Sequence, residues 1–202
     1  MVTSALIDRL AAHLDRPLVE TPVGFRWFVD AMLEGKLGFA GEESAGATLL
    51  RKNGSVWTTD KDGIALGLLA AEIMAKTGRD PTALYAEVTA TIGKPFYRRT
   101  DAPATRREKE QLRQLTPHSF EAGQLAGEAV IAIESAAPSS GAPLGGVRVR
   151  SANGWFAARP SGTEDIYKIY AESFRSLDHL DQIESEAKAM IGAALAEAAV
   201  RH

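Results

Sequence analysis

A polar turn between two strand-like runs carries the side chains that bind a phosphate group most readily. The turn spans residues 159–165 and opens with an arginine, followed by two hydroxyl-bearing residues around a glycine. A guanidinium donates paired hydrogen bonds to an oxyanion, hydroxyls add further donors, and a glycine leaves backbone N–H groups uncovered. The turn therefore predicts a phosphate-binding loop whose contacts come from Arg159, Ser161, Gly162 and Thr163.

A lysine in the following strand offers a second cation to this loop. Alternation along residues 166–174 puts Lys168 on the same face as Tyr170 and Glu172. A lysine inside a run of aromatic and β-branched residues is unusual without a partner, so we predict that Lys168 reaches the same oxyanion. Without it, the short motif would favour an ordinary hairpin turn with a surface arginine, because such strings often match by chance.

A second loop, residues 41–46, has groups that suit the hydroxyls of a sugar. The carboxylate of Glu42 can accept hydrogen bonds from two vicinal hydroxyls, and the hydroxyl of Ser44 can donate or accept. Glu43 is expected to face away, because neighbouring residues of an extended chain point in opposite directions. On spacing alone, a solvated turn with two glutamates is an equally good interpretation.

Other turns hold further candidates for a binding site. The turn at Gly24 and the loop at Glu42 each follow a predicted strand, and ligands of α/β sheets bind beyond the carboxyl ends of strands, so a shared site is expected. Arg26 and Lys61 are single cations in turns, and each by itself is typical of a surface residue. No metal site is predicted, because the histidines lack ligand spacing and no aspartate cluster suits magnesium.

The overall composition narrows the classes of partner. The chain has 202 residues, a net charge of −3 and an isoelectric point near 5.9, so it lacks the basic footprint of a nucleic-acid-binding protein. It contains no cysteine, which excludes disulfides and is compatible with a reducing compartment. No apolar run approaches the roughly 20 residues that span a bilayer. We therefore expect a cytoplasmic protein without membrane or nucleic-acid partners.

The first half of the chain is predicted to be a parallel α/β unit. A strand at 18–20, a helix at 25–33 and a strand at 37–40 alternate with short connections, which is typical of that architecture. A helix over 64–76 is apolar nearly all round, so we expect it to be buried between other elements. Asp80 and Pro81 begin the next helix as cap and first residue, and Gly93 ends it.

The second half is predicted to be an α+β domain. Residues 94–116 are rich in arginine and lysine, which we interpret as a linker followed by a short solvated helix. Strands follow at 129–133, 147–150 and 155–158, the last two joined by an Asn153-Gly154 hairpin turn. A helix over 177–200 crosses the resulting antiparallel sheet. We place the domains at residues 1–98 and 99–202.

Taken together, four motifs resemble those of the α-D-phosphohexomutases. Residues 21–28, 41–46, 58–63 and 159–164 resemble, in the same order, loops of the bacterial glucose-specific members of that family. The resemblance extends over nearly the whole chain. It implies an α/β part of the third family domain, followed by a fourth domain with a TATA-binding-protein-like antiparallel sheet and helix.

The resemblance also implies a role for each candidate residue. Glu42 and Ser44 would hold the glucose hydroxyls, Gly24 and Arg26 would line the sugar side, and Lys61 would lie near the substrate and could assist proton transfer. The family commonly has lysine at the position of Arg26. The non-reacting phosphate would be held by Arg159, Ser161, Gly162, Thr163 and Lys168.

Enzymes of this family interconvert glucose 1-phosphate and glucose 6-phosphate through a phosphoserine, Mg²⁺ and a glucose 1,6-bisphosphate intermediate. The phosphoserine loop and the magnesium loop belong to the first two domains, and neither is present in this sequence. The chain is therefore expected to be a C-terminal part of such an enzyme, with the N-terminal domains as its partners, and to be inactive alone. A mannose-specific relative and a free-standing sugar-phosphate-binding module are the alternatives.

Overall fold

A computed structural model of the protein describes residues 2–44, 46–120 and 122–200. The first half contains more helix than strand. In chain order its elements are α1 (Leu6–His13), a 3₁₀ helix (Phe25–Phe28), α2 (Val29–Leu33), β1 (Phe39–Glu42), β2 (Gly46–Leu49), α3 (Gly63–Thr77) and α4 (Pro81–Ile92).

Helices α3 and α4 lie within one residue of their predicted bounds, because the sequence supplies their caps. The carboxylate of Asp62 accepts hydrogen bonds from the backbone N–H groups of the first turn of α3, at 2.9 and 3.0 Å. Gly78 ends α3 in the left-handed conformation with φ of 67°. Asp80 caps α4 through the N–H of Ala83 at 2.9 Å, and Pro81 is its first residue.

The expected burial of α3 is wrong. No residue of α3 is buried, and the side chains of Ile64 and Leu68 are 79% and 68% exposed. Among the described residues the helix packs mainly against β2 and α4, and most of its surface faces outward. An apolar sequence shows that a helix suits burial, but the neighbours that bury it must come from the tertiary structure.

The predicted parallel unit is also absent from the described residues, in which every strand pair is antiparallel. β1 and β2 form a hairpin with Phe39 opposite Leu49, since the short turn between them permits only antiparallel pairing. Residues 18–20, predicted as a strand, have no ladder partner. Beyond β2, one isolated antiparallel bridge joins Leu50 to Val56. The mixed α and β class itself is confirmed.

The second half is built on a five-stranded antiparallel sheet with the order β3-β9-β8-β7-β6. Its elements are β3 (Phe96–Pro103), α5 (Arg106–Gln114), a 3₁₀ helix (Pro117–Ser119), the small hairpin strands β4 (Gln124–Leu125) and β5 (Glu128–Ala129), β6 (Ala132–Ala136), β7 (Pro143–Arg150), β8 (Gly154–Pro160), β9 (Ile166–Ser173) and α6 (Leu177–Val200). The predicted antiparallel sheet with a helix across it is confirmed.

The two faces of this sheet have different surroundings. One face packs against α5 and α6 around Phe156 and Ile169, both at most 1% exposed. The opposite face carries a smaller cluster in which Trp155 and Tyr170 contact Val2 from the N-terminal segment. This second face is therefore the one that meets the first half of the chain.

The predicted linker is partly a strand. β3 pairs with β9 along its whole length, with Phe96 opposite Ser173, and the predicted domain boundary at 98/99 falls inside it. As an edge strand, β3 tolerates the arginines that suggested a linker, because its outer side meets water. Helix α5 is not simply solvated, since Lys109 and Leu112 are buried.

Candidate functional site

Polar groups from three separate turns converge at the end of β1. The carboxylate of Glu42 accepts a hydrogen bond from the N–H of Gly24 at 2.8 Å. Its other oxygen accepts from Nζ of Lys61 at 3.2 Å and from the hydroxyl of Ser44 at 3.4 Å, while Lys61 also donates to Ser44 at 2.9 Å. The structure thus brings together four of the five residues predicted for the sugar side; the neighbouring Ala45 lies outside the described residues.

The backbone explains why these four meet. Gly24 has φ of 126°, a conformation that favours glycine, and it aims its N–H at β1. A Cβ on Gly46 would come within 3.0 Å of the Lys61 side-chain stem, so the glycine gives the lysine its path to the loop. Lys61 is itself fixed by its place just before Asp62, the cap of α3.

Arg26 lies apart from this group. Its guanidinium carbon is 5.3 Å from the ring centroid of Trp27, which is a cation–π distance, and the side chain is exposed. No described contact links it to Glu42. Its predicted position on the sugar side stays a prediction.

The phosphate-loop cations lie side by side. β8 and β9 pair with Arg159 directly opposite Lys168, so both side chains leave the same face of the sheet. A backbone hydrogen bond of 2.9 Å from Ser161 to Ile166 closes the loop between them. Gly162 and Thr163 form its exposed tip. This arrangement concentrates positive charge beside uncovered backbone, which suits an oxyanion.

Arg159 is held from one side and open on another. One Nη donates to the hydroxyl of Tyr170 at 3.2 Å, and the guanidinium carbon lies 5.7 Å from the ring centroid. Its Nε is buried without a hydrogen-bond partner, a donor that a bound anion could satisfy. Gly146 permits the close packing here, because a Cβ on it would meet Arg159 at 3.0 Å or less.

A carboxylate of the loop itself lies near these cations. Oε2 of Glu164 is 3.3 Å from the hydroxyl of Ser161 and 3.4 Å from Nζ of Lys168. The N–H of Glu164 in turn donates to Ser161 at 3.2 Å. The side chain of Glu164 is 58% exposed, so it is free to rotate away.

Sequence reasoning missed three residues that shape this loop. Lys109 of α5 donates from a buried position to the carbonyl of Glu164 at 2.7 Å and to the carboxylate of Asp165 at 3.2 Å. Tyr170 and Gly146 were not predicted as contacts of Arg159. The amphipathic pattern of α5 was a usable signal for Lys109, but its partner lies 55 residues further along the chain.

The residues around Glu42 and the cations of the phosphate loop lie over the same face of the five-stranded sheet. Arg148 of β7 is opposite Ala157 of β8, and Arg159 is the next residue of β8 on that face. Arg148 binds the carboxylate of Glu20, four residues before Gly24. The turn that meets Glu42 is thereby tied to the sheet that carries Arg159.

The described residues show no metal centre. Among residues 2–44, 46–120 and 122–200, no group of three or more histidine, aspartate or glutamate side chains is arranged to hold a metal ion. Within the same ranges, no helix has the length and apolarity needed to cross a membrane.

Comparison with known proteins identifies the family. Residues 1–92 match the sequence model for "phosphoglucomutase/phosphomannomutase, alpha/beta/alpha domain III", and residues 105–190 match the model for the C-terminal domain of the same family. The chain belongs to the phosphoglucomutase/phosphomannomutase family.

Relatives agree with this family. The phosphoglucomutase of Komagataeibacter xylinus is 54% identical over the whole chain, which spans 36% of that protein. The chloroplastic phosphoglucomutase of Arabidopsis thaliana is 34% identical over 110 residues, or 50% of this chain and 17% of that protein. The chain therefore spans about a third or less of the length of these relatives.

Two solved structures share the fold. The Paramecium phosphoglucomutase parafusin superposes with a TM-score of 0.63 at 21% identity, over 98% of this chain and 37% of its own. A phosphoglucomutase/phosphomannomutase family protein of Burkholderia thailandensis gives a TM-score of 0.58 at 20% identity, over 86% of this chain and 32% of its own.

Proposed function

We propose that this chain supplies the sugar-binding and phosphate-binding loops of a phosphoglucomutase. The full enzyme would interconvert glucose 1-phosphate and glucose 6-phosphate through a phosphoserine and glucose 1,6-bisphosphate. Glu42 and Ser44 would hold sugar hydroxyls, with Gly24, Arg26 and Lys61 alongside. The non-reacting phosphate would bind to Arg159, Ser161, Gly162, Thr163 and Lys168.

The observation that carries this proposal is the position of Arg159 directly opposite Lys168 on adjacent strands. The two cations lie beside a loop whose tip contains the exposed Gly162. The buried Nε of Arg159 has no hydrogen-bond partner. Charge-assisted hydrogen bonds from such a pair are roughly twice as strong as neutral ones, so the loop favours a dianion over a neutral ligand.

The sugar group supports the same proposal. Glu42 already accepts three hydrogen bonds from Gly24, Ser44 and Lys61, and sugar hydroxyls could take the place of those from the two side chains. In this arrangement Lys61 would also lie close enough to a bound hydroxyl to donate a proton. Holding the substrate at both ends is what phosphoryl transfer needs most from a protein scaffold.

Mg²⁺ does not fit the described residues, which offer no suitable cluster of ligands. We propose that the metal, the phosphoserine and the transfer step belong to the N-terminal domains of the full enzyme. This chain by itself would bind substrate without converting it. A cytoplasmic location is part of the same proposal.

The domain division at 1–98 and 99–202 stays a prediction. The pairing of β3 with β9, which begins at Phe96, would suit a boundary a few residues earlier. A short linker between α4 and β3 would then separate the sugar loop from the phosphate loop along the chain.

Titration of the chain with glucose 6-phosphate, followed by amide chemical shifts, tests the proposal. Replacing Arg159 by alanine should weaken binding about tenfold or more, since a hydrogen bond to a charged group contributes roughly 1.5–3 kcal/mol. The matched control is Arg113→Ala, which removes an exposed arginine of α5 paired with Glu110. Equal affinities for the two variants would rule out the proposed phosphate site.

The same titration separates the alternatives. Tighter binding of mannose 6-phosphate than of glucose 6-phosphate would favour a mannose-specific member of the family. Binding of either sugar phosphate, with turnover absent even when the N-terminal domains are joined to the chain, would favour a binding module.

A further inference from the structure

A buried arginine connects the N-terminal segment to the sheet. The side chain of Arg148 is 6% exposed, and its two Nη atoms donate to the carboxylate of Glu20 at 2.6 and 2.8 Å. Its Nε donates to Glu134 of the neighbouring strand at 2.7 Å. Glu134 lies opposite Arg148 within the sheet, whereas Glu20 comes from 128 residues earlier in the chain. Burying a cation costs free energy unless the cation is paired. The two hydrogen bonds from Arg148 therefore strongly favour one position for Glu20.

Glu20 is fixed at its backbone as well. Its carbonyl accepts a hydrogen bond of 2.6 Å from the hydroxyl of Ser139. Three residues later, Val23 packs against the cluster that contains Trp155 and Tyr170. The segment from Glu20 to Gly24 therefore lies against the sheet at several points.

The same segment reaches the proposed sugar site. The N–H of Gly24 donates to Glu42, and a small cavity of about 90 Å³ is lined by Glu20, Val23 and Glu42 together. Glu42 is thus held, through Gly24 and Glu20, to the strand that carries Arg148.

The strand next to it carries the proposed phosphate site. Arg148 is opposite Ala157, and Arg159 follows on the same face of β8. Such diagonal neighbours across two strands have Cα atoms about 7–8 Å apart. The anchor of the sugar-side turn is therefore next to the arginine that would bind phosphate.

We propose that Arg148 and Glu20 form a positioning pair that sets the distance between the sugar-binding turn and Arg159. This inference rests on the proposed function. The affinity of a ligand that contacts both Glu42 and Arg159 depends on that distance, whereas the affinity of a ligand that contacts only Arg159 does not. The pair would thereby determine the affinity for a hexose phosphate relative to that for phosphate alone.

The test measures two dissociation constants for each variant of the chain, one for glucose 6-phosphate and one for inorganic phosphate. Glu20→Gln keeps the shape of the side chain but removes its charge, leaving Arg148 with Glu134. We expect the preference for glucose 6-phosphate over phosphate to fall about tenfold. With the sugar-binding turn displaced, the contact at Glu42 no longer adds to the affinity of a ligand already bound at Arg159, because its effective concentration is lower. Glu72→Gln, in an exposed pair with Lys76 on α3, is the matched control and should leave the preference unchanged.

A second variant avoids the buried charge. Ser139→Ala removes the other anchor of Glu20 at an exposed position, and it should lower the preference in the same direction by about twofold, as befits one hydrogen bond. Thermal unfolding confirms that each variant is folded before its ligands are compared.

The ratio of the two constants decides the outcome. A fall in the ratio for Glu20→Gln and Ser139→Ala, but not for Glu72→Gln, supports the positioning role. An unchanged ratio overturns it. This includes the case in which the affinities for both ligands fall in parallel, which would indicate that Glu20 and Arg148 only stabilise the sheet. Failure of the proposed function is seen separately, because Arg159→Ala would then leave the binding of both ligands unaltered.

Discussion

At the residue scale, the phosphate loop contains an anion of its own. One oxygen of Glu164 contacts both Ser161 and Lys168, two of the groups proposed to bind phosphate. A phosphate in the same place would meet a like charge, so the carboxylate must rotate outward before the phosphate can bind. Because the side chain of Glu164 is largely exposed, this rotation requires little rearrangement.

Glu164→Gln is therefore expected to strengthen the binding of inorganic phosphate about three- to tenfold. The substitution removes a competing negative charge while preserving the size of the side chain. The dissociation constant measured by calorimetry at low ionic strength checks this expectation. The matched control is Glu87→Gln, which changes the net charge equally at an exposed glutamate of α4 that is paired with Arg79. An equal gain in both variants would show a general charge effect and not a local one.

At the scale of elements, α3 and α6 show how differently two apolar helices can be used. Leu180 of α6 is 1% exposed and belongs to the main cluster beneath the sheet. Leu68 of α3 is 68% exposed. Both sequences are apolar enough for burial, but α6 packs against the five-stranded sheet, whereas α3 packs mainly against the short strand β2 and helix α4.

Truncating these two leucines should therefore give very different results. Leu180→Ala is expected to lower the free energy of unfolding by about 2–5 kcal/mol, as cavity-forming substitutions do. Leu68→Ala, also in a helix, should change it by no more than about 0.5 kcal/mol. Urea denaturation of both variants gives the comparison. A comparable loss at Leu68 would mean that α3 is buried in solution.

At the scale of the whole molecule, charged side chains join elements that are distant in sequence. The pKa of Glu184 on α6 is lowered to about 2 by its hydrogen bond with Lys188 and by those with Arg98 and Thr100 of β3. The hydrogen bond with Arg148 lowers the pKa of Glu20. A carboxyl whose pKa is lower in the folded state stabilises that state at neutral pH and loses this contribution in acid.

Stability should accordingly fall as the pH drops below about 4.5 toward about 2, the window between the ordinary and the folded pKa of Glu184. In Glu184→Gln the fall should be shallower, with a difference on the order of 1 kcal/mol after solvent screening. Denaturant unfolding at pH 6 and pH 2.5 measures it. Parallel pH profiles for the two proteins would show that Glu184 does not contribute to acid sensitivity.

The sequence by itself determined the kind of chemistry and most of the local structure. Arg159, Lys168, Glu42 and Ser44 could be chosen because their side chains suit phosphate or sugar and their turns are marked by glycine. The bounds of α3, α4 and α6 followed from caps and periodicity, which depend on residues close together along the chain. The antiparallel sheet followed from alternation and the turn at Gly154.

Only the tertiary structure decided which of these residues meet. The contacts of Lys61 with Glu42, of Lys109 with the phosphate loop and of Arg148 with Glu20 join positions 19, 55 and 128 residues apart. The exposure of α3 and the pairing of β3 likewise depended on which neighbours are present. Local propensity acts over one or two turns of chain, whereas burial and ion pairing depend on packing between distant segments. The two proposed binding loops can therefore be predicted from the sequence, but their placement over the same face of the sheet is a property of the fold.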